Sequence, residues 1–141
     1  MLPIYQEIAA HHMPVIFHMG DRKLDYSAVP RLKSVLDKVP ELTVIAAHMG
    51  GYLHWNEAYE TLPVHRNLYF DLSSTLAFVS ADELKRMLDK FGDTQFFFGS
   101  DFPMWDPNAE LTRLAGMHLP EDVRRKIEYQ NFVDFLERYS K

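Results

Sequence analysis

Four short apolar runs constrain this chain more than anything else in it: Pro14-Val15-Ile16-Phe17, Leu42-Thr43-Val44-Ile45-Ala46-Ala47, Leu68-Tyr69-Phe70-Asp71-Leu72 and Gln95-Phe96-Phe97-Phe98. They are rich in β-branched or aromatic residues and nearly continuous rather than alternating. That is the pattern of parallel strands buried on both faces. Between them the spacing turns helical. Residues 26–39 carry Val29, Leu32, Val35, Leu36 and Val39 at steps of three and four, and residues 82–91 carry Leu84, Met87, Leu88 and Phe91 likewise. Ser80 with Glu83 three residues on predicts a capping box for the second of these. Pro120-Glu121-Asp122 opens a last helix with an apolar face of Val123, Ile127, Phe132, Phe135 and Leu136, and residues 4–11 read as the end of an earlier helix.

A helix followed by four strand–helix units predicts an α/β fold with a parallel sheet and right-handed crossovers. In such folds the loops after the strands gather on one face, and ligands bind there. The segments leaving the strands are His18-Met19-Gly20-Asp21-Arg22, His48-Met49-Gly50-Gly51-Tyr52, Leu72-Ser73-Ser74-Thr75 and Gly99-Ser100-Asp101-Phe102-Pro103. Three of the four deliver a group that can bind a metal or move a proton: His18, His48 and Asp101. The glycines beside them let backbone approach a ligand.

Composition narrows the chemistry. The 141 residues, 47% hydrophobic and 25% charged, suit one globular domain over residues 1–141. A net charge of −5 argues against a nucleic-acid surface, which needs clustered Lys and Arg. There is no apolar run long enough to span a membrane and no signal-peptide pattern at the N-terminus, so a cytoplasmic enzyme is the plain reading. With no cysteine, any metal must be held by His, Asp or Glu. There is no dinucleotide fingerprint, P-loop or Gly-x-Ser-x-Gly elbow, which disfavours nucleotide binding and serine-hydrolase chemistry.

Each residue also has a plainer reading. A lone His after a strand is more often a hydrogen-bonded loop or core residue than a ligand. Asp101 alone could cap the next helix, Asp21 could be a solvated turn residue, and Gly50-Gly51 a simple turn. His11 and His12 suit the negative end of a helix dipole. His65 and His118 lie in connecting segments, and His54 suits an exposed surface position. Tyr52 and Trp105 could line a pocket or pack under a loop. Only co-location at one rim gives His18, His48 and Asp101 weight.

Taken together, PVIFHMGD, LTVIAAHMGG, LYFDLSST and FFFGSDFP, closed by a helix containing Asn131, resemble the amidohydrolase-related family of metal-dependent (β/α)8 barrels. The resemblance covers nearly the whole chain and aligns it with the C-terminal half of that TIM barrel, strands five to eight. It implies that His18 and Asp101 bind a divalent metal, zinc or manganese. It also implies that His48 lies beside the metal and orients substrate or water, and that Asp101 acts as general base. The implied reaction is hydrolysis, by metal-activated water, of ester, lactone or amide bonds in a small carboxylic-acid-type substrate. The alternatives are metal-dependent decarboxylation in the same family and a truncated, non-catalytic half-barrel that pairs with another chain. The family's first strand carries a His-x-His pair; here the only histidine pair, His11-His12, is adjacent and precedes a strand. The chain therefore reads as starting within the fourth helix. The expected partners are a small-molecule substrate and either a second copy, forming a homo-oligomer, or a missing N-terminal half.

Overall fold

The computed structural model describes residues 1–139. The elements are α1 (Leu2–Ala10), β1 (Pro14–Phe17), α2 (Val29–Lys38), β2 (Thr43–Ala46), α3 (Trp55–Thr61), β3 (Leu68–Asp71), α4 (Ala81–Phe91), β4 (Phe96–Phe97), α5 (Pro107–Ala115), α6 (Glu121–Arg125) and α7 (Asn131–Tyr139). The strands lie in the sheet in chain order, β1-β2-β3-β4. The chain forms two compact units, Met1–Phe70 and Asp71–Lys141.

In the first unit β1 pairs in parallel with β2, Pro14 to Phe17 against Thr43 to Ala46, and β2 pairs in parallel with β3. Val44, Ala46, Leu68 and Phe70 are buried, as continuous apolar runs require. Burying a side chain of Leu or Phe size contributes about 1.5–3 kcal/mol. The expectation of burial on both faces fails at β1, whose pattern alternates exposed and half-buried, with Ile16 63% exposed. Position explains it: β1 ends the strand order and pairs on one side only. Helix α2 begins where Pro30 fixes the first turn and buries Val29, Leu32 and Leu36, the face the spacing predicted. Tyr26, at the predicted start, lies before the helix and is exposed.

In the second unit, the chain leaving β3 pairs with β4 through the Leu72 N–H, which donates to the Phe97 carbonyl at 3.0 Å. The predicted capping box of α4 is present. The Glu83 N–H donates to Ser80 Oγ at 3.2 Å and the Ser80 N–H to Glu83 Oε2 at 2.8 Å. Leu84, Met87, Leu88 and Phe91 are buried on one face. Helix α5, which no helical spacing had marked, is capped by Asp106, whose Oδ1 accepts from the Ala109 N–H at 3.0 Å. That corrects the plainer reading of Asp101, which caps no helix. The predicted last helix is α6 and α7 joined by a π-turn at Lys126–Gln130. It buries Ile127 and Phe135, but Phe132 and Leu136 stay largely exposed. Buried Asn131 donates through Nδ2 to the carbonyls of Asp93 (2.7 Å) and Phe96 (2.8 Å), tying α7 to the start of β4.

Candidate active site

In the first unit, His18 and His48 stand immediately beyond the ends of neighbouring parallel strands, β1 and β2. Their imidazoles meet edge to face, with centroids 4.8 Å apart at 76°. The Nε2 of His48 lies 3.0 Å from the Nδ1 of His18, so one ring donates and the other accepts. His48 is buried, with 6% exposure, whereas His18 is exposed. The pair thus presents an open imidazole steadied by a buried one.

The backbone around His48 is set by its loop. His48, Met49 and Gly50 all have left-handed φ, at 57°, 53° and 82°. The Trp55 Nε1–H donates to the His48 carbonyl at 2.9 Å, and the Tyr52 ring packs 6.0 Å from the His48 ring. Tyr52 also accepts at its hydroxyl from Arg22 Nη2 at 3.2 Å. The Tyr52 N–H donates to the Met19 carbonyl at 2.8 Å, which joins the two loops. Gly20 makes that approach possible: at φ +79° its Cβ position lies 2.4 Å from the Tyr52 nitrogen. Asp21 behaves as a turn residue. Its Oδ1 accepts the N–H groups of Lys23 (2.7 Å) and Leu24 (2.9 Å). The Lys23 bond, followed by the Leu24 bond, holds its carboxyl below the ordinary carboxylate value. His54 is half exposed, and its Nε2–H donates to the Asp21 carbonyl at 3.1 Å. His11 caps α1 and sits 3.1 Å from Glu7 Oε1, in keeping with its place at a helix end.

In the second unit, Asp101 follows β4 in a left-handed conformation, φ 61°, with its side chain exposed. Its Oδ2 accepts the hydroxyl of Ser74 at 2.6 Å. Ser74 is buried at 7% exposure, also left-handed at φ 48°, and follows β3. The Trp105 Nε1–H donates to Ser74 Oγ at 3.0 Å. Trp105 is therefore more than loop packing. Its ring lies edge-on to Phe78 at 5.9 Å, and the Arg113 guanidinium sits 5.3 Å over it. At the end of β3, Asp71 Oδ1 accepts the N–H of Ser73 at 2.8 Å and also its hydroxyl. Sequence reasoning placed Ser74 at a strand end but gave it no role. The usable signal was a run of hydroxyl residues after a strand, opposite a carboxylate after the next.

By type, the imidazoles suit zinc and the carboxylate suits zinc or manganese. By number they fall short: among the described residues no group of three or more His, Cys, Asp or Glu lies close enough to hold an ion. Catalytic zinc sites usually have three protein ligands. No described helix is long and apolar enough to cross a membrane.

Strand-end imidazoles and a hydroxyl-held carboxylate on a parallel β/α framework define the class: half of a TIM-barrel scaffold with its polar groups at the carboxyl ends of the strands. A family model described as amidohydrolase matches residues 2–137, and the chain belongs to that family. Among solved structures it is similar to an uncharacterised TIM-barrel protein from Bordetella bronchiseptica, at 19% identity and a TM-score of 0.84 over 99% of this chain and 50% of that one. A dihydroxybenzoic acid decarboxylase from Polaromonas sp. JS666, solved with manganese and 2-nitroresorcinol, matches at 17% identity and a TM-score of 0.70, over 99% of this chain and 54% of that one. An amidohydrolase from Burkholderia multivorans with bound zinc matches at 13% identity and a TM-score of 0.73, over 94% and 55%. The chain spans about half the length of these structures, and at such identities the likeness establishes the fold. No curated protein matches the sequence.

Proposed function

We propose that this chain supplies the C-terminal half of a metal-dependent amidohydrolase site. In this reading His18 and Asp101 are metal ligands, Asp101 is also the general base, and His48 is a further catalytic residue, in contact with His18. The observation that carries it is the 3.0 Å contact between His48 Nε2 and His18 Nδ1 at the ends of two adjacent parallel strands. Because that contact engages Nδ1, Nε2 is the nitrogen His18 has left to offer a ligand. A ligating imidazole held at its second nitrogen has its ring plane and tautomer fixed, which is how outer partners tune such sites. His48 acts here first on His18 and, in the proposed reaction, orients substrate.

A divalent metal bound there would lower the pKa of water toward about 7 and polarise a substrate oxygen. Asp101, with Oδ2 engaged by Ser74, would offer Oδ1 to the ion or to the proton. Hydrolysis of an ester, lactone or amide bond in a small carboxylic-acid-type substrate is the first reading. Decarboxylation is the second, prompted by the manganese-containing decarboxylase among the structural neighbours.

Elemental analysis of the purified chain tests the ligand set. His18→Ala, which removes a direct ligand, is expected to lower the metal-to-protein ratio. An unchanged ratio would remove His18 from the set. Product analysis with an aryl ester and an aromatic acid separates the two reactions, since carbon dioxide appears only from the second.

The same reading gives β1 a partner. Among the described residues its outer edge has no strand partner, and it carries exposed Ile16; such edges recruit strands. A second half-barrel, either another copy of this chain or an upstream half, would cover it. Light scattering on the eluting protein is expected to show a dimer if the partner is a second copy; a well-folded monomer at micromolar concentration argues against self-association.

A further inference from the structure

Asp101 projects into solvent, and a connected set of side chains lies behind it. Glu110 is fully buried on α5 and pairs through Oε1 with Arg113 Nη1 at 2.5 Å. Arg113 lies over the Trp105 ring, Trp105 donates to Ser74, and Ser74 reaches Asp101. The directions along this set are fixed by chemistry. An indole nitrogen only donates, so Ser74 Oγ must accept from Trp105; a serine hydroxyl has one proton, and the carboxylate is there to take it. At 2.6 Å this second bond has the length of a charge-assisted O–H···O⁻ contact. Ser74 and Asp101 both keep left-handed backbone, an arrangement that persists only where surroundings hold it.

We propose that Ser74 is the positioning residue for Asp101, aligned in turn by Trp105, and that it commits Oδ2 so that Oδ1 is the oxygen offered to ligand or proton. This rests on the reading of Asp101 as ligand and base. Arg113 and Glu110 hold Trp105 in place from behind. An exposed aspartate has several staggered rotamers open to it, and the hydroxyl selects one. The arrangement lies wholly within residues 71–141.

The test reads the side-chain rotamer of Asp101 directly, from three-bond couplings in the isotopically labelled chain at neutral pH. The natural protein is expected to show one dominant χ1 rotamer, and Ser74→Ala a mixture of the staggered wells. Ser74→Cys, which keeps a weak donor, should retain the natural rotamer as the major one. Trp105→Phe, which keeps the ring but loses the N–H, should shift the populations part of the way. Because φ at position 74 is left-handed, Ser74→Gly is a second deletion that the backbone accepts even if the alanine variant fails to fold. One unchanged rotamer in a folded hydroxyl-less variant overturns the proposal. Where activity is measured, the hydroxyl-less variants should lose about 10–100-fold, and Ser74→Cys and Trp105→Phe less. Metal content in His18→Ala reads the ligand assignment and not the rotamer, so the two readings fail separately.

Discussion

The rim of the first unit and the rim of the second solve the same problem by different means. Each presents an exposed reactive group steadied by a buried polar one: His18 by His48, and Asp101 by Ser74. In the first unit both partners are imidazoles, and the pair depends on one ring accepting what the other donates. In the second the buried partner is a neutral hydroxyl with a donor of its own behind it. The first rim is built from backbone as much as from side chains, with the β1 and β2 loops joined by the Tyr52–Met19 hydrogen bond. The second relies on side-chain bonds from three loop positions. A backbone-built rim should fail when the chain cannot approach itself, and a side-chain-built rim when a donor is lost.

Glycine substitution separates the two most strongly. At Gly20 a methyl group would sit 2.4 Å from the Tyr52 nitrogen and 2.5 Å from its carbonyl oxygen, on a residue at φ +79°. Neither atom is the end of a flexible side chain, so the loop must move. Gly20→Ala is expected to cost about 2–4 kcal/mol, from overpacking and left-handed strain together. Denaturant unfolding measures it. A cost below about 1 kcal/mol would mean the loops are not locked to each other. At Gly99, on the second rim, the added methyl would meet Ser73 Cβ at 3.3 Å and Asp71 Oδ1 at 3.5 Å. The contact with Ser73 Cβ is tight by only a few tenths of an ångström, and the nearest backbone atom, the Ser73 nitrogen, lies 3.5 Å away. Gly99→Ala is expected to destabilise by no more than about 1 kcal/mol, because the stiffer unfolded chain offsets the tight contact. Equal costs at the two sites would erase the distinction between the rims.

The parts of this fold legible in the sequence were those whose signal is local and repeated. The apolar runs located all four strands, and the spacing on α2 and α4 named their buried faces residue by residue. The Ser80–Glu83 capping box could be read directly, because both halves of it lie within four residues. The exposure of β1 could not, since a strand's burial depends on what lies beside it. Helices α3 and α5 escaped for different reasons. The first is only two turns long and has no side-chain cap. The second had its signal in Asp106-Pro107, a capping residue followed by proline at the first helical position. Strand-end placement brought His18 and His48 to neighbouring positions, and the structure puts them in contact. Ser74 offered only a hydroxyl at a strand end; the left-handed backbone that goes with its contact to Asp101 has no local sequence signal.

The finest distinction between the rims lies in what holds each carboxylate. Asp21 accepts two backbone N–H groups from its own turn, whereas Asp101 accepts one hydroxyl from another loop. Backbone donors favour the ionised form, and the Asp21 carboxyl is accordingly lowered from its ordinary value of 3.8. A carboxyl lowered on folding stabilises the folded chain above its unfolded value and loses that contribution as pH falls through the lowered one. The turn at residues 21–24 should therefore hold at neutral pH and loosen only below the ordinary carboxylate range. Amide shifts of Lys23 and Leu24 followed by NMR on acidification measure this: both should stay constant until below the ordinary value and then move together. In Asp21→Asn, which can still accept but carries no charge, that acid step should vanish while the neutral-pH fold remains. If the step persists in the variant, another group governs the turn and Asp21 is a solvated side chain with no hold on the loop that carries His18.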